Sequence, residues 1–189
     1  MLAAGSLSSL QPAMVRGLYG YDIDKICCEQ PHANVYYGRR KTDGLPVLIK
    51  LLRDPAAAEW GAEWLERDHQ IAQGLGSGCA AKPLAFERTD WGPALVYADE
   101  GARPLEALAG QGPLDVETAL TVGAAIAEAV ASLHKERVIH CNLNPLTVWL
   151  HEEGGGALLS DFGCARQPSE DRAQGAPAYD DLIEWASMP

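Results

Sequence analysis

Residues 138–163, VIHCNLNPLTVWLHEEGGGALLSDFG, put His140, Cys141, Asn142, Thr147 and Asp161 on one short stretch of chain. Asn142 has the outline of an aspartate but carries a neutral carboxamide. Such a group can hold a hydroxyl and cannot take up a proton at ordinary pH. Thr147 offers a short neutral hydroxyl, a poor ligand for a hard cation that wants oxygen at a fixed distance. Far upstream, Val47-Leu48-Ile49-Lys50 places an ammonium on the apolar run PVLIKLL. The loop residues can bind and orient, but the loop has no carboxylate to act as a base.

The elements that must carry these residues follow from periodicity and turn chemistry. Residues 21–52 predict three short strands, with a turn at Thr42-Asp43-Gly44 before the run that holds Lys50. The stretch AAAEWGAEWLERDHQIAQGL is rich in Ala and Glu, with Trp60, Trp64, Ile71 and Leu75 near helical spacing, and predicts a helix over 56–75. Residues 82–98 predict a hairpin turning near Thr89-Asp90-Trp91-Gly92, and 105–108 a short helix. Asp115 reads as the N-cap of a long helix to about Glu136, with Val116, Leu120, Ile126, Val130 and Leu133 as its core face. Strands at 147–150 and 157–160 flank the turn Gly154-Gly155-Gly156.

In this order the motifs resemble the protein-kinase superfamily from about Tyr21 to Tyr179. The kinase pattern opens its catalytic loop with His-Arg-Asp, places an Asn five residues later and then Asp-Phe-Gly. Here those positions read His140-Cys141-Asn142, Thr147 and an intact Asp161-Phe162-Gly163. The resemblance makes Lys50 the lysine that pairs with phosphates and Asp161 the Mg²⁺ ligand. It places Asp68 at the position of the helix Glu that pairs with Lys50, one methylene short, with Glu66 a nearby alternative. The three glycine positions of the phosphate-covering loop fall on Cys28, Gln30 and Ala33. None is glycine, so backbone N–H groups are poorly placed to approach phosphates. Tyr97 stands at the back of the adenine pocket, and Leu48 replaces the small Ala that lies against the base. Together they imply a narrowed or filled pocket, with Leu48 also reading as plain core packing. Cys141 replaces the Arg that commonly receives an activation-loop phosphate. More narrowly, GYDIDKI, VYYGRRKTDGLPVLIKLL and HCNLNPLTVWL, with Asn144-Pro145 in the loop, resemble the kinase-like domains that open large bacterial multidomain proteins ending in a sensor histidine kinase.

The implied fold is α+β and protein-kinase-like, with two lobes. A flexible lead-in over 1–18 precedes a β-rich N-lobe with one main helix over 19–98. A partial, truncated helical C-lobe over 99–189 ends after the Asp-Phe-Gly segment. A complete kinase domain needs roughly 250 residues, the upper end of the usual domain range. Gly175-Ala176-Pro177-Ala178-Tyr179 resembles the end of an activation segment, and Asp181 with the apolar positions after it the start of a further helix.

The functional expectation is a catalytically impaired kinase-like domain, a pseudokinase acting as a regulatory or protein-interaction module. The degenerate positions Asn142 and Thr147 leave no catalytic residue expected. The alternative is an atypical ATP- and Mg-dependent Ser/Thr kinase, or a non-catalytic nucleotide switch, using Lys50, Asp68, Tyr97 and Asp161, with Asp161 on the metal. The expected partner is another protein or a neighbouring domain of a larger signalling protein, with self-association open. A net charge of −11 argues against nucleic acid or an anionic membrane surface as partner. Five cysteines, at 27, 28, 79, 141 and 164, lack metal-site or disulfide-framework spacing and fit reduced thiols in the cytoplasm. No run reads as a membrane span, and the N-terminus lacks a basic stretch before its apolar residues.

Overall fold

The computed structural model describes residues 18–53, 58–76, 78–89, 92–110, 112–151 and 156–167. The expected lead-in up to residue 17, the hairpin tip at 90–91, most of the glycine turn and everything from residue 168, Asp181 included, lie outside them.

Five strands form the first sheet: β1 (Tyr21–Glu29), β2 (Ala33–Arg40), β3 (Pro46–Leu52), β4 (Pro83–Thr89) and β5 (Gly92–Ala98). Their order is β1-β2-β3-β5-β4, and every neighbouring pair is antiparallel. β3 lies at the centre and is buried from Val47 to Leu52. A strand covered on both faces reads as a continuous apolar run without alternation, as PVLIKLL does. The exception inside that run is Lys50, whose Cα pairs with Val35 on one side and Leu95 on the other. Helix α1 (Ala58–Gly74) packs against β4 and β5. The three strand expectations for 21–52, the hairpin and the helix therefore all hold, with ends shifted by a residue or two.

The second lobe begins with β6 (Ala102–Pro104) and α2 (Leu105–Ala109), then α3 (Val116–Lys135), β7 (Val148–His151) and β8 (Ala157–Leu159). β6, β7 and β8 form a three-stranded antiparallel sheet. β6 has no sequence signal, being three residues long and closed by a proline. Asp115 caps α3 by accepting the Thr118 N–H at 2.9 Å. The loop before β4 is stitched to β8: the Ala81 N–H donates to the Leu159 carbonyl at 2.9 Å, and the Leu159 N–H to the Cys79 carbonyl at 2.7 Å.

The expected core face of α3 needs correction. Val116 is 76% exposed and Leu120 70% exposed. The helix buries Ala129 and Leu133, with Val122, Ala125, Ile126 and Val130 partly covered. Its packing partners in the core, among them Leu105, Leu143, Leu159 and Phe162, engage the C-terminal half. The first two turns project past that core among the described residues. By length and composition α3 is also apolar enough to cross a membrane, which the sequence reading did not anticipate. In the fold its C-terminal half is a core helix.

Candidate functional site

Lys50 is the centre of the site. Its Nζ lies 2.8 Å from Asp68 Oδ2 and 3.0 Å from Asp161 Oδ1, with all three residues buried. The Trp64 ring sits 4.3 Å from the ammonium and completes the cage by a cation–π contact. Burial alone would lower the Lys50 pKa, but the Asp161 and Asp68 carboxylates outweigh it and hold the ammonium above its usual range. Burial raises Asp161, with Lys50 pulling it down and the neighbouring Asp68 charge pushing it up. Tyr97 is held well above the usual phenol range by burial and by the Asp68 and Asp161 charges.

Two glycines let the helix come close enough for an aspartate to do the pairing. A Cβ on Gly61 would stand 2.7 Å from Leu52 Cδ1, so α1 lies directly on the end of β3. A Cβ on Gly163 would collide with the Trp64 indole. Asp68, one methylene shorter than a glutamate, thus reaches Lys50, and its other oxygen accepts the Phe162 N–H at 2.9 Å. Glu66 is exposed on another face of α1.

The loop from His140 to Thr147 is held by its own side chains. Asn142 Nδ2 donates to Asp161 Oδ2 at 3.1 Å, so each oxygen of Asp161 has a partner, Lys50 on one and Asn142 on the other. Asn144 Nδ2 donates to Asn142 Oδ1 at 3.2 Å. The buried Thr147 hydroxyl donates to the Asn142 carbonyl at 2.8 Å and accepts the Asn144 N–H at 3.0 Å. His140 Nδ1 accepts the Asn142 N–H at 3.3 Å, which leaves Nε2 to donate to the Ser160 carbonyl at 2.9 Å and fixes the neutral tautomer. The His140 ring meets Phe162 edge-on at 5.0 Å. His140 is therefore a packing residue under Phe162. Asp161 itself adopts the left-handed conformation, φ 75°, as does Cys141, φ 60°. None of the five cysteines is in a disulfide; Cys164 is exposed and the Cys141 thiol donates to the Ile139 carbonyl.

Above this loop, the turn between β1 and β2 closes down. Gln30 is only 3% exposed, and its Nε2 donates across to the Leu146 carbonyl at 3.4 Å. Cys28 and Ala33 are buried as well. Behind Gln30 a cavity of about 300 Å³ remains between the lobes, bounded by Leu48, Tyr97, Ala98, Ala102, Trp149 and Leu158.

Comparison with known proteins fits this geometry. No family model matches the chain. It is 27% identical over 164 residues to Serine/threonine-protein kinase 36 of Pongo abelii, which covers 84% of this chain and 12% of that protein. It is 28% identical over 142 residues to Serine/threonine-protein kinase pkn2 of Myxococcus xanthus, covering 74% of this chain and 17% of that one. A 76-residue stretch, 36% of the chain and 14% of the relative, is 40% identical to Serine/threonine-protein kinase PkaA of Streptomyces coelicolor. The chain is protein-kinase-like.

In kinase terms, the structure brings Lys50, Asp68 and Asp161 together, with Tyr97 against Asp68. Asn142 and Thr147 stand at the catalytic-loop positions, but Thr147 points into the loop backbone. A kinase Mg²⁺ site needs oxygens from both Asp161 and the residue at 147. With the Thr147 hydroxyl turned away, Asp161 paired on both oxygens and Gln30 across the phosphate side, the residues do not fit Mg-bound triphosphate. Among the described residues no cluster of three His, Cys, Asp or Glu side chains could hold a metal. The sequence reading missed Trp64 as a wall of the Lys50 cage and Trp149 as a wall of the cavity. Trp149 lies inside an apolar run and Trp64 at helical spacing on α1, where neither carries a signal beyond core packing.

Proposed function

We propose that this domain is a pseudokinase, a kinase-like fold that regulates through binding and transfers no phosphoryl group. One observation carries the reading: Lys50, Asp161 and Asn142 form a continuous chain of hydrogen bonds, buried between Lys50 and Asp161 and part-buried between Asp161 and Asn142. Phosphoryl transfer relies on positioned cations and a carboxylate that takes the hydroxyl proton. Here the ammonium is neutralised by protein carboxylates, and the residue facing the substrate side is a carboxamide. The fold alone would not decide between enzyme and binding module, since function lives in the site.

The partner we propose is a neighbouring domain of a larger signalling protein, with self-association as the other form of the same role. Its support is that the chain spans only 12–17% of the length of the kinases it resembles over most of its own length. The loop Asn144-Pro145 supports kinship with kinase-like domains at the head of bacterial multidomain proteins. Cysteines outside any disulfide support a reducing, cytoplasmic setting.

The test is thermal unfolding with and without millimolar ATP and Mg²⁺, together with transfer of radiolabelled phosphate to a generic Ser/Thr substrate. No shift and no transfer are expected. A saturable rise in the midpoint would overturn the closed-cleft reading and favour a nucleotide switch. Transfer abolished by Asp161→Asn would establish an atypical kinase.

A further inference from the structure

In a regular strand successive side chains alternate between the two faces of the sheet. β1 breaks that alternation at Cys27. Ile26 pairs with Tyr36 and Cys28 with Val35, so Cys27 is the extra residue of a β-bulge. Ile26 packs with Tyr36, Val47 and Ile49 on one face of the sheet. Cys27 and Cys28 both pack with the cluster of Leu48, Tyr97 and Trp149 on the other. The bulge thus sets two successive thiols side by side, joined by a hydrogen bond. Cys28 is buried, whereas Cys27 is partly open to solvent.

The surroundings make the two thiols unequal. Tyr37 gives Cys27 a second hydrogen bond, and its ring lies 5.2 Å from Arg103 Cζ and 5.4 Å from Lys25 Nζ. The Cys28 thiol, then the Tyr37 hydroxyl, with Arg103 behind them, lower the Cys27 pKa against burial and the Asp99 charge. The same bond to Cys27, together with burial, pushes the Cys28 thiol up. Cys27 is the nucleophile of the pair, and Cys28 keeps its proton.

We propose that Cys27 and Cys28 form a peroxide-sensitive dithiol, which closes reversibly into a disulfide between neighbouring residues. The Cys27 thiolate attacks one oxygen of hydrogen peroxide. The S–O bond forms as the O–O bond breaks, and hydroxide leaves. The Cys28 sulfur then attacks the sulfenic sulfur. The S–S bond forms, the S–O bond breaks, and the hydroxyl leaves with the Cys28 proton as water. Two electrons pass from the thiols to the peroxide. Because the bulge residue stands outside the ladder, the peptide between the two cysteines can turn as so small a ring requires. Adjacent Cα atoms are about 3.8 Å apart, short of the roughly 4.4 Å at the lower end of ordinary disulfides, so the bond is strained and easily reduced.

The test treats the full 189-residue chain with hydrogen peroxide, then unfolds it, alkylates it with iodoacetamide and digests it with trypsin. Cleavage after Lys25 and Arg39 leaves both thiols in one peptide, apart from Cys79, Cys141 and Cys164. That peptide should escape alkylation and lose two hydrogens, about 2 Da, before the exposed Cys164 reacts. Dithiothreitol should restore both alkylation sites. In Cys28→Ser the reaction should stop at a sulfenic acid on Cys27, captured by dimedone. Two alkylated cysteines in the peptide once Cys164 has reacted, or a bond from either one to a third cysteine, overturns the proposal. So does a Cys28→Ser chain that unfolds cooperatively and yields no dimedone adduct at Cys27.

Discussion

The Asn142 carboxamide donates to Asp161 Oδ2 at 3.1 Å, and that bond depends on the residue at 142 being neutral. An aspartate at the same place would set two carboxylates against each other in a site already holding Asp68. A carboxamide at 142 avoids that repulsion, so on the pseudokinase reading proposed above the missing base and the closed site have one cause.

Asn142→Asp should therefore destabilise the domain near neutral pH by about 1–3 kcal/mol, the cost of turning a satisfied buried contact into an unsatisfied one. The new carboxyl would have its folded pKa raised by Asp161. A raised acid contributes stability below its unfolded pKa and loses it as pH rises through the folded value. Urea midpoints should accordingly converge with the parent toward pH 4 and diverge above it. A variant as stable as the parent at pH 8 would show that Asn142 and Asp161 are not coupled.

Lys50→Met leaves Asp68 and Asp161 buried without their cation and should cost about 3–5 kcal/mol, the usual penalty for breaking a buried ion pair from one side. Denaturant unfolding at neutral pH measures it. A loss under 1 kcal/mol, within the range of exposed pairs, would contradict the burial of the cage.

The pH profile of the parent should carry the same signature. Lys50 is raised above its ordinary 10.5, so its contribution is complete below that pH and is lost as pH climbs through the folded value. Asp161 is raised above 3.8, so its contribution falls as pH rises from there to its folded value and is flat beyond. An alkaline loss of stability beginning above about pH 10.5 and absent in Lys50→Met would identify the group responsible.

Gly163→Ala should push Trp64 off the Asp-Phe-Gly turn and open the Lys50 cage. Overpacking of this kind typically costs 1–3 kcal/mol, or about that for this site. Near-ultraviolet circular dichroism should change along with the midpoint. An unchanged aromatic signal would place the indole elsewhere.

On α3, Val116→Ser and Leu120→Ser should each shift stability by no more than about 0.5 kcal/mol, whereas Leu133→Ala should cost about 2–5 kcal/mol. Equal penalties along the helix would restore the apolar face expected from sequence.

Much of the fold is legible from local signals. The buried run PVLIKLL, the Asp115 cap and the Asp-Phe-Gly turn each have a short-range cause that survives folding. The phase of α3 did not follow from periodicity because Val116 and Leu120 match the helical spacing as well as Ile126 does. What separates them is which turns meet Leu143 and Phe162, and that is tertiary. Within the site, register against the kinase pattern singles out Lys50, Asp68, Asn142 and Asp161. Their mutual hydrogen bonds were not, since whether Asp68 reaches Lys50 depends on how closely α1 can lie on β3. Gly61 settles that distance, and a glycine inside a helix reads from sequence only as a weak point.

The Gln30 side chain, reaching from the upper turn to the Leu146 carbonyl, has a mechanical meaning. It adds to the Lys50–Asp161 pair, the Asp68 bond to the Phe162 N–H and the Arg67 bond to the Ala165 carbonyl as a link between lobes that in a working kinase must rock apart each turnover to exchange nucleotide. Each of these links resists separation of the lobes at a different place along the cleft. Opening the cleft would require breaking them together, so the contacts act as a latch and not as a hinge.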